Sequence, residues 1–239
     1  MSPSSTDVRK TLSGEFRYGV RTLKRHGLRF ALLFMALLLP LWGFGVLAEE
    51  VWEGDTFFFD QPLLRWAETW HSPAMDRVFL FFSEIGYQWG VVPIDILLIV
   101  WLALKRKPRE GIFAGIALVG SALLNVAAKH FFGRARPTLW ESISPETTFS
   151  FPSGHAMGSM TLAAVLVLLA WRTRWRWWVL ALMLPTVLMV GASRIYLGVH
   201  FPSDILAGWV AALAWVFGVY LVLFHGPHRP WQRPQSLAG

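Results

Sequence analysis

Residues 193–204 read Ser-Arg-Ile-Tyr-Leu-Gly-Val-His-Phe-Pro-Ser-Asp and join two long apolar runs, Trp177–Ser193 and Ser203–Phe224. Runs of that length are helices that approach or complete a crossing of a hydrocarbon core about 30 Å thick. The link between them therefore carries Arg194, His200 and Asp204 at the point where the chain turns between two spans. Pro202 suits the first position of the second helix, and Asp204 then falls in its first turn, within reach of His200. The expectation is a helical membrane bundle with polar chemistry gathered at one end.

Four further apolar runs complete the pattern: Phe30–Ala48, Trp89–Leu104, Gly111–Ala128 and Ala156–Trp171. The second and fourth of the six runs are short, at about 16 residues, against the roughly 20 of a full crossing. Composition agrees with a bundle, with 54% hydrophobic and 15% charged residues, where soluble domains carry roughly 25% charged. The 14 tryptophans suit bilayer interfaces. No cysteine is present, which excludes disulfides, thiolate nucleophiles and thiolate metal ligands. Val46-Leu47-Ala48 resembles a signal cleavage site, but the basic leader before the first run is too long for a signal peptide. The fold class expected is all-α, a six-transmembrane-helix bundle spanning 30–224, between a basic segment 1–29 and a tail 225–239 expected to be flexible.

Charge sets the orientation. Sixteen of the 22 Lys and Arg residues fall in the N-terminal segment, the links after the second and fourth runs, and the tail. That side is expected to be the cytoplasm, with both termini inside. This placement favours a membrane surface over nucleic acid as the reason for the net charge of +7. Residues 49–88, on the other side, carry eight acids and two basic residues. The stretch Asp60–Gly86 has the look of two short interfacial helices. Leu63, Leu64, Ala67 and Trp70 form a stripe on the first, and Val78, Phe79 and Phe82 on the second, which Ser72-Pro73 begins. The pair either guides a lipid or simply packs over the bundle. Lys129, Arg134, Arg136 and Arg194 also lie outside, where topology does not require cations.

Those cations belong to three short patterns: Lys129-x6-Arg136-Pro137, Pro152-Ser153-Gly154-His155 and Ser193-Arg194-x5-His200-x3-Asp204. Arginine offers a planar fork to phosphate oxygens and lysine a point charge. Ser153 and Gly154 precede a helix start, where unpaired N–H groups favour an anion. Asp204 can hold one ring nitrogen of His200 protonated and leave the other as a nucleophile, while His155 is free to act as an acid. Singly, each residue has an ordinary structural explanation: a dipole partner, a snorkelling lysine, an interfacial histidine. Jointly, on the face where cations are disfavoured, they make a metal-free phosphate cage.

The three patterns resemble the signature of the type 2 phosphatidic acid phosphatase (PAP2) superfamily, with every fixed position matched between Lys129 and Asp204. The resemblance implies that Lys129, Arg136, Ser153, Gly154 and Arg194 bind the phosphoryl oxygens. It implies that His200 attacks phosphorus to form a phosphohistidine, that Asp204 orients it, and that His155 protonates the leaving group and then activates water. No metal or cofactor is implied, and no obligatory protein partner. The expected substrate is a membrane lipid phosphate: a phosphatidate-like monoester, phosphatidylglycerophosphate or undecaprenyl diphosphate. The expected location is the bacterial inner membrane, with the site on the extracytoplasmic face. Rival readings are a phosphotransferase on the same scaffold, a haloperoxidase, and a non-catalytic lipid-binding or transport protein.

Four details beyond the fixed positions of the patterns carry expectations. Asp95, within the second run, is expected to have a polar partner, Asn125 or the site cations, in a structural hydrogen bond. Arg134 is expected to add positive potential. Thr138–Phe151, with Trp140, Glu141, Glu146 and Phe149, is a candidate lid. His26, His71, His130, His225 and His228 show no ligand spacing.

Overall fold

A computed structural model describes residues 35–224 together with Gly27, Pro230 and Trp231. The rest of the segment 1–29, the start of the first apolar run and most of the tail lie outside the described residues. Among the described residues there are α-helices and no strand. In chain order they are α1 (Met35–Glu53), α2 (Asp60–Glu68), α3 (Pro73–Ile85), α4 (Val91–Leu104), α5 (Pro108–Phe132), α6 (Gly154–Ala170), α7 (Arg176–Tyr196) and α8 (Pro202–Leu223).

Each of the six apolar runs corresponds to a helix. Four of these, α1, α5, α7 and α8, are long and apolar enough to cross a membrane. The apolar helices α4 and α6 are shorter, with 14 and 17 residues. At 1.5 Å per residue they extend about 21 and 25 Å. Leu39, Leu97, Leu123, Leu182 and Val222 are exposed on these helices. A broad exposed apolar surface of this kind belongs against lipid, and the protein is an integral membrane protein.

The bundle is organised around α6, which packs against α8, α7 and α5. Its many small residues, among them Ala156, Gly158, Ser159, Ala163 and Ala164, allow neighbouring backbones to approach closely. Gly208 of α8 shows how closely. A Cβ there would stand 2.9 Å from the Ser153 carbonyl oxygen and 3.1 Å from the Met157 nitrogen. Hence α8 lies directly on the start of α6. Away from that crossing the core is apolar, with Leu102, Phe113, Ala117, Leu162, Val165 and Val216 buried together. Among apolar neighbours the hydroxyls of Ser121 and Thr161 satisfy each other at 2.7 Å.

Helices α2 and α3 pack on α7, and α2 also touches α8. Ser72 accepts a hydrogen bond from the Met75 N–H at 3.4 Å, and Pro73 opens α3, as the sequence implies. Their buried faces match the expected stripes in part. Leu64 and Ala67 are buried, but Leu63, Trp70 and Val78 are exposed. On α3 Ser83 is buried, Phe79 stacks on Tyr196 at 4.2 Å and Phe82 is half-buried. Asp95 also departs from expectation: its Oδ1 has no hydrogen-bond partner. Asn125 donates instead to the Pro152 carbonyl at 3.1 Å. At the far end, Trp231 of the tail donates its ring N–H to the Leu169 carbonyl at 2.7 Å and its backbone N–H to Glu110 at 2.5 Å. The tail is tied back to the bundle at that point.

Candidate active site

Five segments deliver the three sequence patterns to one place. Helix α5 ends at Gly133, whose positive φ of 57° turns the chain just past Lys129. The loop that follows brings in Arg134, Arg136, Glu146 and Ser150. Helix α6 starts there, with Ser153 as its N-cap accepting from Ala156 N–H. Arg194 comes from the last turn of α7, and His200 and Asp204 from the entry to α8. The Asp204 carboxylate also accepts the Phe201 N–H at 2.8 Å, reaching back over the first turn of its own helix.

His200 is fully buried. Its Nδ1 lies 3.3 Å from Asp204 Oδ2 and 3.3 Å from Ser150 Oγ. Its Nε2 lies 3.1 Å from Arg136 Nη1, which can only donate. One tautomer fits both sides: the proton sits on Nδ1, and Nε2 keeps its lone pair. Burial, followed by the charges of Arg136 and Arg194, outweighs Asp204 and pushes the His200 ring down to about 4. The ring is therefore neutral at physiological pH.

Around Nε2 stands a cationic cage. Arg136 donates to Thr148 O at 2.7 Å and to Val199 O at 2.6 Å, which fixes its guanidinium. Arg194 is buried and bonded to Ser83, and its Nε has no partner. Lys129 stands at the rim, donating to Phe149 O at 2.5 Å and Thr148 Oγ1 at 3.2 Å. Inside the cage lies the Glu146 carboxylate. It pairs with Arg194 and, at 2.5 Å, with Arg136. One oxygen is 3.7 Å from His155 Nδ1 and the other 3.9 Å from His200 Nε2. Burial works to raise the Glu146 carboxyl, but Arg194, His200, Arg136 and His155 together hold it down at about 2. Three cations face one carboxylate, a formal excess of two positive charges.

A second network lies behind Nδ1. Asp204 accepts from Ser150 Oγ and from Arg134 Nη1, each at 2.5 Å. Arg134 also donates to Asp60 at 3.0 Å and stacks over the Phe201 ring at 4.4 Å. Asp60 in turn accepts the Ser203 N–H at 2.9 Å and the Ser203 hydroxyl at 2.6 Å. This corrects the expectation for Arg134: its charge is held by two carboxylates and adds no free positive potential to the cage.

Of the eight residues singled out from the sequence, Lys129, Arg136, His155, Arg194, His200 and Asp204 meet in this one site, and Ser153 and Gly154 open α6 beside it. Ser153 is buried as the α6 cap, with its N–H on the Asp204 carbonyl at 3.1 Å. Five other participants, Asp60, Ser83, Glu146, Ser150 and Ser203, were not assigned site roles from sequence. Only Glu146 had a signal, as an acid in the candidate lid. Among the described residues no group of three or more His, Cys, Asp or Glu could hold a metal ion.

Residues 110–226 match the family model described as the PAP2 superfamily. An undecaprenyl-diphosphatase of Sulfolobus acidocaldarius is 30% identical over 147 residues, covering 59% of this chain and 67% of the relative. The chain belongs to the PAP2 superfamily. Phosphatidylglycerophosphatase B of Bacillus subtilis is 26% identical over 179 residues, or 73% of this chain and 88% of that one. The PAP2 fold is matched by a crystal structure of a transmembrane PAP2-type phosphatidylglycerolphosphate phosphatase from Bacillus subtilis. Its TM-score is 0.68 at 24% identity, covering 77% of this chain and 94% of that chain.

Proposed function

We propose that this membrane phosphatase removes the terminal phosphate of a lipid monoester or diphosphate through a phosphohistidine on His200. The observation that carries this reading is the position of the Glu146 carboxylate. It is an anion held by Arg136 and Arg194, with one oxygen facing each histidine. A phosphoryl group in the same place would stand between a nucleophile and an acid. Glu146 leaves when it enters, because two anions in one cage repel. The desolvated arginines then need the phosphate to replace the lost charge.

The steps follow from the tautomer. The Nε2 lone pair attacks phosphorus, the bond to the leaving oxygen breaks, and His155 gives that oxygen a proton. Burial and Arg194 hold the His155 ring down at about 3, so the proton is one that His155 takes up as the anionic substrate enters beside it. Arg136 shifts its donor from Nε2 to a phosphoryl oxygen. Asp204 stabilises the positive charge that develops on the ring. His155 then takes a proton from water, the water oxygen attacks phosphorus, the P–N bond breaks, and inorganic phosphate departs. Lys129, Arg136 and Arg194 offset charge on the equatorial oxygens, with Ser153 and Gly154 at the α6 start completing the cage.

The wider setting is read in the same way. Six helices cross the bilayer, the short α4 and α6 included, and 30–224 is the phosphatase domain. Both termini are cytoplasmic and the site opens on the extracytoplasmic face of a bacterial inner membrane. The acids of 49–88 and the basic links at the opposite end support that orientation. The loop 138–151 carries Glu146 and acts as the gate. The membrane-embedded scaffold and relatives named for lipid substrates favour a lipid over a soluble phosphate ester.

The test is His200→Ala in purified protein with radiolabelled lipid phosphate. Turnover falls by a factor on the order of 10⁴ or more while lipid binding is kept. An alkaline quench of the unaltered protein traps label on His200. Label transferred to a lipid acceptor rather than released as phosphate would make the enzyme a transferase. Normal hydrolysis by the variant would refute the mechanism.

A further inference from the structure

We infer that Asp60, on an interfacial helix outside the PAP2 patterns, is a positioning residue for the reaction, acting through Arg134 on Asp204 and His200. The inference rests on the functional reading above.

Charge accounting motivates it. Asp204 is completely buried and touches Arg134 at 2.5 Å. An arginine at that distance, left to itself, would cancel the carboxylate that His200 depends on. Asp204 would then accept poorly from Nδ1–H and would stabilise a charged ring poorly. The second carboxylate prevents this. Asp60 is buried to 1% exposure and takes the other arm of Arg134 at 3.0 Å. Two carboxylates and one guanidinium leave one net negative charge behind the ring. From His200 the cluster acts as a single carboxylate whose position is fixed on three sides. Low local dielectric makes that residual charge count.

The geometry is also well anchored. Asp60 opens α2 and binds both the N–H and the hydroxyl of Ser203, in the first turn of α8. Ser203 Oγ also receives Arg134 at 2.8 Å. The interfacial helix is therefore joined to the turn that carries Asp204 by two direct hydrogen bonds and, through Arg134, by a third bridge. A helix that only covered the bundle would need apolar contact and no buried ion pair.

The charged and titratable groups facing His200 are Arg136 and Glu146 of the loop, His155 of α6, Arg194 of α7 and Asp204 of α8. None changes in the proposed variants, so shifts in the acid limb of kcat/KM report the rear network. Asp60→Asn leaves that network neutral. It lowers kcat about tenfold, leaves KM and vanadate inhibition within about twofold, and moves the acid limb down by about half a pH unit or more. Arg134→Gln leaves it with two negative charges and moves the limb up. Asp60→Asn combined with Arg134→Gln restores one negative charge and returns the limb toward its original position. A scaffolding role predicts otherwise: less folded protein, an unmoved limb, and a double variant worse than either single one. That pattern, or a D60N enzyme with unchanged kcat and limb, overturns the inference. If D60N does not fold, the upward shift in Arg134→Gln decides, and its absence refutes the charge accounting. Loss of the phosphohistidine in the unaltered enzyme would sink the functional reading instead, so the two failures are distinct.

Discussion

Arg134 and Arg136 stand two residues apart in one loop, on opposite sides of the same imidazole. Arg136 faces Nε2 together with Arg194 and Lys129, where cations outnumber the single carboxylate of Glu146. Arg134 lies behind Asp204, where two carboxylates outnumber it. One region carries surplus positive charge and suits an anion; the other carries surplus negative charge and suits a positively charged ring. The same side chain serves opposite ends because its partners differ. Residue type and spacing alone do not assign the role. Counting the charges around each guanidinium does.

The widest separation between the two regions is expected from paired substitutions. Arg136→Ala removes a donor aimed at the developing charge and lowers kcat/KM by about 10²–10³. Inhibition by vanadate, a phosphoryl analogue, weakens with it. Arg134→Gln lowers kcat but leaves vanadate inhibition within about twofold, because that charge never reaches the cage. Steady-state kinetics with a vanadate titration checks both. Equal weakening of vanadate by the two variants would erase the distinction.

This contrast also marks what the sequence could disclose. The six apolar helices were legible because a membrane demands long apolar runs, and their positions survive to within a few residues. The cage was legible because its residues fall in three short patterns away from the other basic clusters of the sequence. The rear network was not. Asp60 lies 74 residues before Arg134 and reads as one more acid in an acidic outer segment. Ser150 and Ser203 are small polar residues near helix starts, where serine has many uses. Adjacency in sequence places Arg134 with the cage, whereas the fold pairs it with Asp60 and Asp204. Glu146 stands out in sequence only as an acid of the candidate lid, and nothing in its spacing encodes its pairing with Arg136 and Arg194. Long-range pairing of charges is a tertiary fact, and no local periodicity encodes it.

A smaller effect probes the anion already in the cage. Glu146→Gln removes a charge that competes with phosphate while keeping the shape. Vanadate inhibition is expected to tighten about tenfold, equivalent to about 1.4 kcal/mol. The sign also fixes a pH dependence. The Glu146 carboxyl is depressed to about 2 from an ordinary 4.5. Its ion pairs therefore stabilise the fold fully above pH 4.5, and that contribution is lost as pH falls toward 2. Glu146→Gln should flatten the part of the acid denaturation curve that falls in this window. Unchanged vanadate affinity would mean that the carboxylate does not occupy the phosphoryl position.

The smallest effect belongs to Ser150, which sits where the two regions meet. Its hydroxyl donates to Asp204 Oδ2 at 2.5 Å and lies 3.3 Å from His200 Nδ1. Asp204 keeps three other donors when that hydroxyl is lost: Arg134, the Phe201 N–H and the ring itself. Ser150→Ala therefore forfeits one ordinary hydrogen bond of about 1 kcal/mol without stranding the acceptor. The expected result is a loss of about fivefold in kcat, with KM and vanadate inhibition unchanged. Ser150 belongs to the rear network by its bond to Asp204, although it is carried on the loop that brings Glu146 to the cage. A change in vanadate inhibition would mean that loop placement, rather than the carboxylate contact, is what Ser150 supplies. The boundary between the two regions would then lie along the loop, not through the imidazole ring.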